Sequence, residues 1–199
     1  MSKGEQTRQA IIAKAAPLFN QRGFAGCSMA DIMAATGLEK GGLYRHFDSK
    51  EELAAETFRY AMQTALDARS IDDRPELDAI AKLRLMVQRF VMVPSPLPGG
   101  CPLLNAAIDT DDGNPALRIL VQDALAKWKA KIRKIVQQGI KDGQINPPVD
   151  PLSVANLIIS TLEGALMITR LEGNRRALQD AQALLDPYLS TLMAKPASS

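Results

Sequence analysis

Ser28-Met29-Ala30-Asp31-Ile32-Met33-Ala34-Ala35-Thr36-Gly37-Leu38-Glu39-Lys40-Gly41-Gly42-Leu43-Tyr44-Arg45-His46-Phe47 is the stretch whose reading decides the fold. Ser28 and Asp31 have capping-box spacing, with Asp in place of the preferred Glu, so a helix opens here and turns Met29, Ile32 and Met33 inward. Gly37 stops it, because glycine tolerates the positive φ of a helix end. Leu38 to Phe47 reads as the next helix. Leu43 and Phe47, four apart, point inward, whereas Lys40 and Tyr44, also four apart, share another face with Gly41 and Arg45 beside them. Two short helices joined at a glycine match the helix-turn-helix, whose second helix enters the major groove. Taken alone, the spacing also fits an ordinary helical hairpin.

Working outward, Thr7 reads as the N-cap of a first helix that buries Ile11, Ile12, Ala15, Ala16 and Phe19 and stops at Gly23. On the other side, Ser49-Lys50-Glu51-Glu52 is a capping box for a helix carrying Leu53, Ala54, Phe58, Ala61, Ala65 and Leu66. Arg74-Pro75 is a break. Beyond it Leu77, Ile80, Leu83, Val87, Phe90 and Val91 line a fifth helix, and Pro102 opens a sixth after a Pro/Gly loop. Asp111-Asp112-Gly113-Asn114-Pro115 reads as a turn before a long helix that runs to Gly143. The last two helices span 151–172 and 174–193. Apolar residues recur at helical spacing almost throughout and period-2 alternation is nowhere sustained, so the chain reads as all-α with about nine helices and no internal repeat. It divides into a head at 5–65, with the helix-turn-helix at 28–47, and a carboxy-terminal domain at 75–195.

Composition bounds the function. The 199 residues are 46% apolar and 23% charged, which fits an ordinary globular chain. The net charge of +2 is unevenly spread: residues 1–50 hold seven Lys or Arg against four Asp or Glu, and the remainder is slightly acidic. Such a split fits a basic binding head on a neutral body, and equally the scatter of a soluble surface. A single histidine, His46, and two distant cysteines, Cys27 and Cys101, cannot build a Cys/His zinc site or a disulfide framework, so no metal or cofactor is expected. A polar amino terminus and the absence of an apolar run near ~18 residues lead us to expect a cytoplasmic protein without a membrane anchor.

The segments Thr7-Arg8-Gln9-Ala10-Ile11-Ile12-Ala13-Lys14-Ala15-Ala16, Gly23-Phe24, Ser28-Met29-Ala30-Asp31-Ile32, Thr36-Gly37-Leu38 and Lys40 through Leu53 resemble the DNA-binding domain of the tetracycline-repressor (TetR) family. The resemblance covers residues 7 to about 60. It implies a dimeric regulator that binds double-stranded DNA at a palindromic operator and whose carboxy-terminal domain takes a small-molecule effector. The DNA-contacting candidates are Ser28, Lys40, Gly41, Gly42, Tyr44, Arg45, His46 and Lys50. Lys40, Tyr44, His46 and Lys50 fall at the family's phosphate-contacting positions; Gly42 and Arg45 fall where its recognition helices vary. Arg45 can take the O6 and N7 of guanine with its fork, or serve as a further phosphate contact. The chain departs from the family's pattern at Cys27, usually threonine, where a hydroxyl that could touch phosphate is lost. It departs again at Gly42, usually Ser, Thr or Ala, where the backbone is bared at roughly 1 kcal/mol of helix propensity.

The resemblance also makes residues 151–193 the expected homodimer interface, with Ala155, Ser160, Gly164 and Ala165 allowing close approach; burial within one subunit would need the same stripe. Met86, Phe90, Cys101, Asn105, Trp128, Met167 and Arg170 are the effector-pocket candidates, although residues of these types at helical spacing also make plain core. Cys101, at a helix start after Gly99-Gly100, could act as a thiolate sensor or close a loop as a small buried residue. The basic run Lys127, Lys129, Lys131, Arg133 and Lys134 surrounds Trp128 and Ile132 and reads as a solvated face. Asp109-Thr110-Asp111-Asp112-Gly113 resembles a calcium loop, but its glycine is one place early and Leu120 stands where a bidentate glutamate is needed. With His46 placed in the DNA motif, no Ser-His-acid set remains, and no enzyme is expected. The competing reading is a helical ligand-binding or scaffolding protein whose head has lost DNA binding.

Overall fold

The computed structural model describes residues 2–72, 74–110 and 114–194. Its first helix, α1 (Lys3–Gly26), opens on a capping box: Ser2 Oγ accepts the Glu5 N–H while the Glu5 carboxylate accepts the Ser2 N–H. The start therefore lies ahead of Thr7, whose hydroxyl instead donates to the Lys3 carbonyl. Gly23 does interrupt the helix, at φ 75° and ψ 174°, but one more turn follows before Cys27. Then come α2 (Met29–Thr36), α3 (Lys40–Tyr44) and α4 (Lys50–Ala68). Gly37 closes α2 in the left-handed conformation expected of it. α3 is shorter than the 38–47 span anticipated. Two consecutive glycines weaken it, and single-turn hydrogen bonds from the His46 and Phe47 N–H groups to the Leu43 carbonyl complete the path.

The remaining helices are α5 (Ala79–Met92), α6 (Pro102–Asp109), α7 (Pro115–Lys141), α8 (Pro151–Glu172) and α9 (Arg176–Thr191). α5 starts after Leu77 because the Asp78 carboxylate caps it by accepting the Ala81 N–H. Asp150 does the same for α8, accepting from Leu152 and Ser153, with Pro151 in the first turn. The described residues are all-α, with nine helices and no strand beyond an isolated bridge between Ile145 and Met193. The turn read at 111–115 and the rejected calcium loop fall largely on residues 111–113, outside those described.

Two units pack independently, and they are not sequential segments. One comprises residues 2–68 with 95–124; the other comprises 69–94 with 125–194. The segment 95–124, grouped from sequence with the carboxy-terminal domain, thus packs with the head. The head has a small core of Ile11, Ile12, Ala15, Cys27, Ile32, Leu43, Phe47 and Leu53. Its first helix is tied to the loop before α6: the Asn20 amide donates to the carbonyls of Pro98 (2.8 Å) and Gly100 (3.3 Å), and the Asn105 amide donates to Asn20 O (2.9 Å) and Gly99 O (2.8 Å). Gly99 is required there, since a Cβ would lie 2.7 Å from the Asn20 carbonyl oxygen.

The second unit buries Leu83, Val87 and Phe90 of α5, Ile132 and Val136 of α7, Ile158 and Leu162 of α8, and Leu185 and Leu189 of α9. α8 is long and apolar enough by length and composition to cross a membrane, contrary to the sequence reading. It packs on α5 and α9 and supplies Val154, Ala155, Ile158 and Leu162 to the core, as a core helix would. At Gly139 the backbone of α7 comes so close to its neighbours that a Cβ would meet Ala79 Cβ at 2.5 Å and the Ile145 side chain at 2.8 Å.

Candidate nucleic-acid interface

At the start of α2, Ser28 Oγ accepts the Asp31 N–H (3.1 Å), and the Asp31 carboxylate accepts the Ser28 N–H (2.9 Å) and hydroxyl (2.5 Å). Arg22 adds an ion pair at 2.8 Å. The bonds from Ser28, and after them Arg22, hold the Asp31 carboxyl well below the usual carboxylate range, at about 2. The Ser28 hydroxyl is exposed but already engaged with Asp31.

α3 has two faces. Leu43 and Phe47 are fully buried in the head core, and Lys40, Gly41, Tyr44 and Arg45 are exposed. Lys40 Nζ lies 5.9 Å from the Tyr44 ring centre, so the two share a face as their spacing predicts. The Arg45 backbone N–H donates to the Leu43 carbonyl, and among the described residues its guanidinium has no ionic or hydrogen-bond partner. A Cβ would meet nothing within 4 Å at Gly41 and only the Leu38 side chain, at 3.6 Å, at Gly42. Packing therefore demands neither glycine. His46 and Lys50 are half-buried beside this face, and Lys50 Nζ sits 4.2 Å from the Phe24 ring centre.

Other cations of the head serve the fold. Arg8 bridges to Glu52 (3.0 Å) and Glu56 (3.7 Å) on α4, with its guanidinium 4.7 Å from the Phe47 ring centre. The Asp48 N–H, at 2.7 Å, and then Arg8 hold the Glu52 carboxyl below its ordinary value. Glu52 so binds Asp48 where a strict capping box would have used the Ser49 N–H, while Ser49 Oγ accepts from Glu52 as expected. Cys27 corrects the phosphate argument: it is fully buried, burial raises its thiol pKa, and a hydroxyl there would face core.

The seven effector candidates are divided between the two packing units. Phe90 and Trp128 stack, with ring centres 5.8 Å apart, and Met86 packs on the same core. Met167 and Arg170 are exposed on α8. Cys101 and Asn105 belong to the other packing unit, where Cys101 is buried at the N-cap of α6 and Asn105 is occupied by Asn20 and Gly99. Sequence reasoning missed Arg69, whose guanidinium lies 4.5 Å from the Phe90 ring centre. It weighed Asp109 only within a calcium loop, whereas its carboxylate accepts the Phe24 N–H from 85 residues away. No periodicity marks either; both are tertiary contacts. Lys131, from the basic run, pairs with Asp72 at 2.8 Å.

A short helix anchored by two core side chains, turning an exposed cationic and phenolic face outward behind a capped positioning helix, defines a helix-turn-helix DNA-binding protein. Comparisons with known proteins agree. Residues 11–57 match the family described as bacterial regulatory proteins, tetR family, and residues 79–185 match the tetracyclin repressor-like carboxy-terminal domain. A TetR transcriptional regulator from Chloroflexus aurantiacus J-10-FL is 42% identical, with a TM-score of 0.90 over 97% of this chain and 98% of that one. A TetR-family regulator from Cytophaga hutchinsonii is 31% identical, also with a TM-score of 0.90, over 98% and 99% of the two chains. The HTH-type transcriptional repressor DhaR of Mycobacterium sp. (strain GP1) is 26% identical over 86% of each chain. The chain belongs to the TetR family of DNA-binding transcriptional regulators.

Proposed function

We propose that the protein is a cytoplasmic repressor that binds a palindromic operator as a homodimer and is released by a small molecule. The observation that carries the DNA reading is the exposed face of α3 and its end cap, with the Arg45 guanidinium exposed and unengaged for base readout and Lys40, Tyr44, His46 and Lys50 around it for the phosphate backbone. Repression is supported by the similarity to DhaR, a transcriptional repressor.

Dimerisation through 151–193 is supported by apolar side chains that α8 and α9 leave outside their own core: Leu157, Ile168, Leu171 and Leu184 are all exposed. Of the small residues in this region, Ala155 and Ala165 serve the core, whereas Ser160 and Gly164 lie outside it, with open space over Gly164. A two-fold pair of heads then reads half-sites about 34–36 Å apart, or a multiple of that spacing. The effector reading centres on Met86, Phe90 and Trp128, large apolar groups on α5 and α7, with Arg69 against Phe90 as the polar contribution. Release requires that the effector bind the DNA-incompetent conformation more tightly, by as much free energy as the shift consumes.

Selection from random duplex DNA tests the reading. The expected product is a two-fold symmetric site whose affinity falls log-linearly between about 50 and 200 mM salt, and which lowers expression when placed in a reporter promoter. No enriched sequence, or a flat salt response, would overturn it.

A further inference from the structure

Asp109 ends α6, where the carbonyl-rich helix terminus disfavours a carboxylate, yet its Oδ2 is satisfied by the backbone N–H of Phe24. The corner it binds is built for it. Gly23 adopts φ 75°, and a Cβ there would lie 2.7 Å from Asp109 Oδ1, so the carboxylate approaches a bare backbone. The fixed Phe24 backbone sets its ring, which stacks on Phe19 with centres 6.4 Å apart and planes 13° from parallel. Across that ring lies Lys50 Nζ, 4.2 Å from the centre. Lys50 is the first residue of α4, where unpaired N–H groups already favour an anion. Its stem is flexible, and the ring is what gives the ammonium a definite place.

We propose that Asp109 and Phe24 are positioning residues for DNA binding: the carboxylate fixes the Phe24 backbone, and the ring holds the Lys50 ammonium where the DNA backbone passes. Asp109 lies outside residues 11–57, the span of the family's DNA-binding pattern, so a side chain of the carboxy-terminal pattern sets a contact made by the head. The proposal rests on the reading of Lys50 as a phosphate contact.

A double-mutant cycle on the full chain, with the selected operator as probe and affinity followed from 50 to 200 mM salt, tests it. Lys50→Ala is expected to weaken binding about tenfold and to flatten the salt slope by about one per half-site. Asp109→Ala and Phe24→Leu are expected to give the same flattening, and to add nothing in the Lys50→Ala background. Asp109→Asn, which keeps an acceptor for the Phe24 N–H, is expected to retain most of the affinity. Losses that add to those of Lys50→Ala, or an unchanged slope in both Asp109→Ala and Phe24→Leu, overturn the positioning role. An unchanged affinity and slope in Lys50→Ala itself overturns the phosphate reading and the proposal with it, a result distinct from additivity.

Discussion

Arg45 is the side chain on which sequence preference is expected to turn. It is exposed at the carboxy-terminal cap of α3 and, unlike Arg8 and Arg22, is not engaged with an acid of its own head. Arg45→Ala is expected to relax preference at one base pair of each half-site, at a cost of about 1–3 kcal/mol for the favoured base; loss of affinity with unchanged preference in a base-by-base binding series would make it a phosphate contact. Asp31 gives a pH signature. Its folded carboxyl titrates at about 2, below the value near 4 of an unfolded chain, so the stability it contributes is fully present above ~4 and is lost as pH falls toward 2. Asp31→Asn is therefore expected to be less stable than the parent chain at pH 7 and to converge with it between pH ~4 and ~2, as measured by thermal unfolding. A stability difference that persists unchanged to pH ~2 would mean the carboxylate contributes nothing as an anion.

At the level of elements, legibility followed the range of the interaction. The Ser28–Asp31 box, the burial of Leu43 and Phe47, the left-handed Gly37 and the span of α8 all depend on residues within a few positions of one another, and the structure has them where the sequence puts them. The start of α1 was legible too, in the Ser2-x-x-Glu5 pattern, but Thr7 offered a competing cap closer to the apolar run. Asn105 could not be read. As an isolated polar residue on a short apolar helix it suits a ligand, and only the fold places Asn20 and Gly99 against its amide. The same holds for Gly139, which resembles any mid-helix glycine. Gly139→Ala is expected to lower stability by about 1–3 kcal/mol in denaturant titration, despite better helix propensity, because its Cβ would overlap Ala79 and Ile145. A gain in stability would show that α5 and the Ile145 segment can withdraw. Gly42→Ala has the opposite expectation, a gain of up to about 1 kcal/mol, since only Leu38 stands near at van der Waals distance.

For the whole molecule, the modest head charge can act because it is sorted. Arg8 and Arg22 are paired with acids, while Lys40 and Arg45 remain exposed at the start and the end cap of α3 and Lys50 stands at the next helix start. Duplicating that small set by two-fold symmetry would make operator binding depend on pairing two copies. Leu171 and Leu184, 80% and 71% exposed, are the side chains whose exposure is hardest to reconcile with a lone subunit. Leu171→Glu combined with Leu184→Glu is expected to give the monomer mass in sedimentation and to lose operator affinity while circular dichroism stays helical. A persisting dimer would place the interface elsewhere.

The amides of Asn20 and Asn105 have a practical consequence for anyone exchanging DNA specificities between relatives. Cutting after residue 68, where α4 ends, would strip Asn20 of the Pro98 and Gly100 carbonyls and the Phe24 N–H of Asp109, leaving donors of the first helix unmatched. A chimera that carries 95–124 along with 2–68 keeps these seams closed, so the transferable reader is a discontinuous piece of chain, not an amino-terminal cassette.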